Sequence, residues 1–269
     1  MRKWSATQTL GILTGLTAIM MLVLFIVRRL FGQFMDQTAW ELSAELVIVL
    51  VLIAVNKYWL HVPLSYQWQT HGQFWSVCWL GILLVFINGG VFIGGYVVNT
   101  NATPAIEAVV MALLVGYYEE SFFRGIILGQ LLKSFSGKHR VILAVLTSSV
   151  LFGLTHAAHY FDGFDQSSIN TTLQIGYAIC LGVYFSAVTL RTGSLLWPML
   201  MHATFDLPSL YIEFTTHSGV LSNSLSGDEL LITLISDTIH YLPVLLIGLW
   251  LIRRSQLAEI AHANPEWLE

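Results

Sequence analysis

Ionisable side chains within apolar sequence concentrate in three short runs: Glu119-Glu120-Ser-Phe-Phe-Arg124, Phe152-Gly-Leu-Thr-His156 and His202-Ala-Thr-Phe-Asp206. In a helix, Glu120 and Arg124 are four residues apart and share a face, so they are expected to pair. Glu119 is rotated about 100° from Glu120 and about 140° from Arg124. It is therefore left out of that pair and free to act as a general base. His202 and Asp206 are also four apart and share a face, while Phe152 lies one turn before His156. Pro198 and Pro208 bracket His202 and Asp206, each removing a backbone donor and loosening that helix. A lone histidine in a span is often no more than one end of an interhelical hydrogen bond. Two histidines, an unpaired glutamate and an aspartate in three separate spans point instead to acid–base chemistry on a substrate.

The elements that must position these groups are membrane helices. The chain has 269 residues, 55% hydrophobic and only 10% charged. A soluble domain carries about 25% charge, so a water-exposed globular enzyme is excluded. Tyr58 to Ile106 is 49 residues without Asp, Glu, Lys or Arg, and similar gaps run Trp4–Val27, Val141–Phe161 and Gln166–Leu190. Runs of that length read as membrane spans of roughly 20 residues each. The expectation is an all-α polytopic membrane protein forming a single transmembrane domain over 1–269. Eight spans are expected, near 9–27, 42–60, 74–98, 105–131, 141–161, 171–190, 194–214 and 230–252. The run after Met1-Arg2-Lys3 is read as the first span rather than a signal peptide, because it ends at Arg28-Arg29 with no small-residue cleavage pattern. Burying a charged side chain in a bilayer costs at least about 2.5–3.5 kcal/mol, so each one inside a span needs a reason.

Lys and Arg set the orientation. With the N-terminus inside, Arg2, Lys3, Lys57, Lys133, Lys138, Arg140, Arg191, Arg253 and Arg254 are cytoplasmic, and only Arg28 and Arg29 lie opposite. Both termini are then cytoplasmic, and the loops with Asp162, Asp165, Asp228 and Glu229 face outward. Counting ~1.5 Å per residue from the cytoplasmic ends, Glu119 lies roughly 18 Å deep, His156 roughly 22 Å and His202 roughly 12 Å, so the three could meet at one level. The net charge of −4 and the lack of a basic cluster exclude nucleic acid as a partner. Cys78 and Cys180 sit singly in apolar stretches and read as small buried hydrophobes.

The three runs, in this order on separate spans, resemble the CPBP family of intramembrane proteases, which includes CAAX prenyl endopeptidases and the bacterial Abi and bacteriocin-immunity proteins. The stretch Arg191-Thr-Gly-Ser-Leu-Leu-Trp-Pro198-Met-Leu-Met-His202 is similar to the family's run into its third motif. The likeness covers about 105–206, and the eight-span count agrees with it. It implies an endopeptidase whose site opens to the cytoplasmic half of the membrane and whose substrate is a membrane-associated protein or peptide. By resemblance Glu119, His156 and His202 are catalytic, Asp206 occupies the family's Asn-or-Asp position, and Glu120 and Arg124 complete the first motif. Two mechanisms remain open. In one, Glu119 and His156 activate water while His202 and position 206 stabilise the oxyanion. In the other, the two histidines and Glu119 form a zinc site with one open position. No His-x-x-x-His pair is present, so no cofactor is the leading expectation and zinc the alternative. An ionised Asp206 cannot donate a hydrogen bond, which favours its orienting His202.

Other readings use the same residues differently. A non-enzymatic immunity or binding protein would depend on its loops rather than on Glu119, His156 and His202. A proton-coupled transporter could also carry Glu/His relays, but no internal repeat is visible, whereas many transporters have one. Gly193-Ser194 falls at a turn without serine-protease context, and His159 is a candidate for the site entrance. Asp237 and His240, three apart in the last span, are expected to pair with each other. By its resemblance to the bacterial members of the CPBP family, the protein is expected to be integral to the plasma membrane of a bacterium, with both termini cytoplasmic.

Overall fold

Among the described residues, eight helical rods lie over the eight expected spans. The computed structural model describes residues 4–31, 37–68, 74–160, 168–216 and 227–268, and no strand occurs among them. Arg2, Lys3, Asp162 and Asp165, which entered the orientation argument, lie outside the described residues. In chain order the rods are α1 (Ala6–Phe31), α2 (Gln37–Val55) with a π-helical end Asn56–Leu60, and α3 (Phe74–Asn99). Next, α4 (Ala102–Glu119) runs through a π-helical segment Glu120–Ile127 into α5 (Leu128–Ser134). The α6 helix (Arg140–Thr155) ends in a 3₁₀ turn, His156–Tyr160. It is followed by α7 (Ser168–Thr192), α8 (Leu196–Thr216) and α9 (Gly227–Leu251).

Among the described residues, five stretches are long and apolar enough to cross a membrane: Thr38–Leu60, Phe74–Asn99, Arg140–Tyr160, Ile169–Thr192 and Asp228–Leu251. The α4–α5 rod and α8 are not among them. They carry Glu119, Glu120 and Arg124, and Asp206 and Glu213, and these ionisable groups dilute their apolar character. Their protection comes from protein instead of lipid. Every residue of the π-helical segment is buried, and burial continues through Leu128, Gly129, Gln130, Leu131 and Leu132.

This rod is surrounded because neighbours flank it on several sides. The α4 helix packs against α8 and α2, α8 also packs on α3, and α7 lies between α6 and α9. A β-carbon on Gly116 would come 2.8 Å from the carbonyl oxygen of Met199 and 3.2 Å from the backbone nitrogen of Ala203. Only a glycine permits the two backbones to approach this closely, one turn before Glu119 and beside His202. Gly116→Val should therefore push α8 off α4. A misplacement of about 1 Å can cost about 10²-fold in rate, so the variant should lose activity to that extent while still inserting in the membrane. Undiminished turnover would show that the close approach does not set the site.

The chain beyond the last span, left without structure by the sequence reading, also folds onto the bundle. It forms a 3₁₀ turn (Arg254–Gln256), α10 (Leu257–Ala263) and α11 (Pro265–Leu268). Asn264 donates to the Leu190 carbonyl at 2.7 Å, Arg140 donates to the Leu268 carbonyl at 2.8 Å, and Trp267 is buried against Gly129. The Thr9 and Ser134 hydroxyls are 2.5 Å apart. These links gather the start of α1, the ends of α5, α7 and α9, and the start of α6 at one end of the bundle.

Candidate active site

The π-helical segment is the first departure from the sequence reading, which treated this span as a regular α-helix. A π turn closes i→i+5 bonds, is rare, and occurs often at functional sites. Here it begins at Glu120, directly after Glu119. The Ser148 hydroxyl of α6 donates to the Phe123 carbonyl at 2.8 Å, tying the widened turn to its neighbour. Ser121 donates to the Tyr117 carbonyl and lies 2.7 Å from the Tyr66 hydroxyl, and the Tyr66 and Tyr117 rings stack 5.5 Å apart.

The expected Glu120–Arg124 pair is present: a guanidinium nitrogen of Arg124 donates to Glu120 Oε1 at 2.8 Å, with both side chains fully buried. The same Glu120 oxygen lies 2.7 Å from His202 Nδ1. A carboxylate already neutralised by Arg124 accepts, so Nδ1 carries a proton and the ring is held in one orientation. Glu120 is thus a link between the Arg124 pair and His202, a role its spacing to Arg124 alone does not reveal. On the other side of the ring, His202 Nε2 faces Glu119 Oε2 at 3.4 Å and Asp206 Oδ2 at 3.3 Å. Glu119 is indeed separate from the arginine pair and directed toward His202. Exposure rises from Glu120 (0%) and His202 (7%) to Glu119 (18%) and Asp206 (28%), so the cluster opens on the Glu119–Asp206 side.

Phe152 explains the spacing of the second run. Its ring lies edge-on to His156 at 5.3 Å and to His202 at 5.8 Å, and the Arg124 guanidinium sits 4.1 Å above its centre. One aromatic side chain therefore separates the two histidines and lies beneath the buried cation, a favourable cation–π arrangement. His156 is close enough to feel the charges of Asp206 and His202, and its Nδ1 is buried with no hydrogen-bond partner among the described residues. His159 meets the His156 ring at 5.9 Å and has Nδ1 2.9 Å from Gln174 Oε1.

Two expectations need correction. Pro198 is the third residue of α8, within the first turn, where its missing donor costs nothing. Only Pro208 is interior, and it withholds a helical hydrogen bond from the Thr204 carbonyl beside Asp206. Asp237 and His240 form no ion pair among the described residues. His240 Nδ1 lies 2.7 Å from the Ser236 carbonyl, one turn back on its own helix, and Asp237 feels His240 only at longer range.

Two neighbours of the cluster were missed. Phe185 of α7 stacks on His202 at 5.6 Å and 30°, and nothing in an apolar run singles out one Phe. Glu45 of α2 is close enough to Glu119 for their charges to interact, and its Oε2 is buried with no hydrogen-bond partner among the described residues. A signal for Glu45 did exist. It is an acid inside an apolar span, and the cost of burying it demands a reason.

A zinc site would need Glu119, His156 and His202 to converge on one ion. Among the described residues no three His, Cys, Asp or Glu side chains are grouped to hold a metal. Both nitrogens of His202 also face carboxylates.

Fold and site together define an all-α membrane protein with a carboxylate–histidine cluster buried between helices from separate spans. Residues 100–208 match the family model of the Rce1-like type II CAAX prenyl endopeptidases, a stretch that contains all three runs. A relative, CAAX prenyl protease 2 of Arabidopsis thaliana, is 28% identical over 116 residues, covering 40% of this chain. The match spans only 36% of that protein's length, about a third. Over this segment the chain is similar to the CPBP family of intramembrane proteases. No solved structure matches the chain.

Proposed function

We propose that the protein is a membrane-embedded endopeptidase acting on a membrane-associated protein or peptide. The observation that carries this reading is the Glu119 carboxylate facing a histidine whose far nitrogen is locked by the Glu120–Arg124 pair. Glu119, assisted by His156, takes a proton from water as the water oxygen bonds to the scissile carbonyl carbon. The carbonyl π electrons move onto oxygen, and a proton on His202 Nε2 stabilises that oxyanion. Collapse re-forms the carbonyl and breaks the C–N bond, and the proton held by Glu119 passes to the leaving amine. Asp206, 3.3 Å from Nε2, orients His202 between turnovers. The relative's name, CAAX prenyl protease 2, suggests that a lipid-bearing C-terminal peptide is the first substrate class to try. The chemistry is carried by side chains and needs no resident metal.

We also place both termini on the cytoplasmic side of a bacterial plasma membrane. Support for this orientation comes from the basic residues Arg140, Arg191 and Arg253, whose carbonyl partners Leu268, Leu251 and Trp250 all lie at the end of the bundle formed by the C-terminal segment and the end of α9. The test is cleavage of membrane-tethered peptides by purified protein in liposomes, with and without a chelator. Cleavage that survives chelation at near full rate is expected. Activity lost on removing one tightly held zinc, and restored by zinc, would overturn the metal-free mechanism. No cleavage of any tethered peptide would remove the protease reading.

A further inference from the structure

At the gathered end of the bundle, far from the carboxylate–histidine cluster in sequence, an open cavity of about 130 Å³ lies where α3 begins and α7 and α9 end. Arg191, Arg253, Gln256 and Glu259 line it, with Trp250 and Ser76. We propose that this cavity binds the headgroup phosphate of a membrane phospholipid.

The residues are built for the task. Arg191 is held almost fully buried, one guanidinium nitrogen donating to the Leu251 carbonyl at 3.1 Å and another to Glu259 Oε2 at 2.7 Å. Its position is fixed without any ligand. The Arg253 guanidinium sits over the Trp250 ring, 3.8 Å from its centre, and donates to the Trp250 carbonyl at 2.8 Å. Two guanidiniums oppose one carboxylate, so the cavity favours an anion. Arginine forks match phosphate oxygens in pairs, and basic pockets between membrane helices are a recurrent site for phospholipid headgroups.

The cavity's level and its acceptor choose between a lipid and a free phosphate. The membrane-spanning stretches Ile169–Thr192 and Asp228–Leu251 stop at its floor, and Phe74–Asn99 starts there. The cavity therefore lies at headgroup depth. Trp250 and Trp75 are 56% and 75% exposed on the outside of the bundle, as expected of indoles at the membrane–water interface. Gln256 Oε1 is buried with no hydrogen-bond partner among the described residues. It calls for a ligand that carries a donor beside its phosphate, as the hydroxyls of phosphatidylglycerol do and the headgroup of phosphatidylcholine does not.

Delipidated protein in phosphate-free detergent buffer would be melted with phosphatidylglycerol, phosphatidylcholine or inorganic phosphate. Phosphatidylglycerol well above its Kd should raise the Tm by roughly 5 °C, and the other two should raise it far less. Arg253→Gln should unfold near the wild-type temperature without lipid and lose most of the shift. Lys57→Gln, a basic residue outside the cavity, should keep it. A full shift in Arg253→Gln overturns the site, as does an equal loss in Lys57→Gln. An equal shift with phosphate alone assigns the cavity to a free anion and overturns the lipid. An equal shift with phosphatidylcholine overturns the role given to Gln256.

Discussion

Replacing Glu119 by Gln should lower cleavage by about 10²–10⁴-fold, the usual contribution of a positioned general base, with the melting temperature close to that of the wild type. The amide keeps the size of the side chain and its place 3.4 Å from His202 Nε2, but it cannot take a proton from water. Little structure depends on the carboxylate. Glu119 stands outside the arginine pair and its side chain is partly exposed, so the fold should tolerate the change. The separation of the two effects is the informative part. A variant that cleaves normally would remove Glu119 from the chemistry. Inactive protein that also melts many degrees lower would make Glu119 a structural residue.

The second large effect is expected at Glu120 and Arg124, and it should have the opposite signature. Both side chains are fully buried, and removing one partner of a buried pair costs about 3–5 kcal/mol because the other charge is stranded. Arg124→Ala strands Glu120 and leaves Phe152 without the cation above its ring. Glu120→Ala strands Arg124 and also frees His202 Nδ1. Each single variant should yield less folded protein than Glu119→Gln. The double replacement Glu120→Leu with Arg124→Met should recover much of the lost stability, since apolar side chains of similar volume often replace a buried pair at little cost. It should not recover activity, because His202 still lacks its anchor. Thermal melts and cleavage rates on the four proteins decide the matter. Equal melting of all four would mean that the pair contributes nothing to the fold, and recovered cleavage in the double variant would mean that His202 needs no anchor.

What could be read from the chain alone followed from costs that hold wherever a residue sits. Long charge-free runs can be stable only as membrane spans, which is why eight rods were visible with ends displaced by only a few residues. The Glu120–Arg124 pair was readable because both members lie on one helix, where a separation of four settles their proximity. Glu45 was passed over although the same cost argument applied to it, since its reason for being buried lies on another helix. The 3₁₀ turn and short helices after Leu251 were unreadable for a related reason. They are held by Asn264 to Leu190, Arg140 to Leu268 and Trp267 against Gly129, all contacts distant in sequence.

By itself, then, the sequence determined that this is a helical membrane protein and which side chains had to be shielded, because solvation penalties and helical periodicity are local. Only the tertiary structure decided what shields them. The glycine at 116 lets α8 approach α4, the approach brings His202 onto Glu120, and the π-helical turn begins where Glu119 leaves the arginine pair to face the other side of the same ring. Each of these depends on the distance between two backbones, a quantity that side-chain packing sets and that no spacing along one chain encodes.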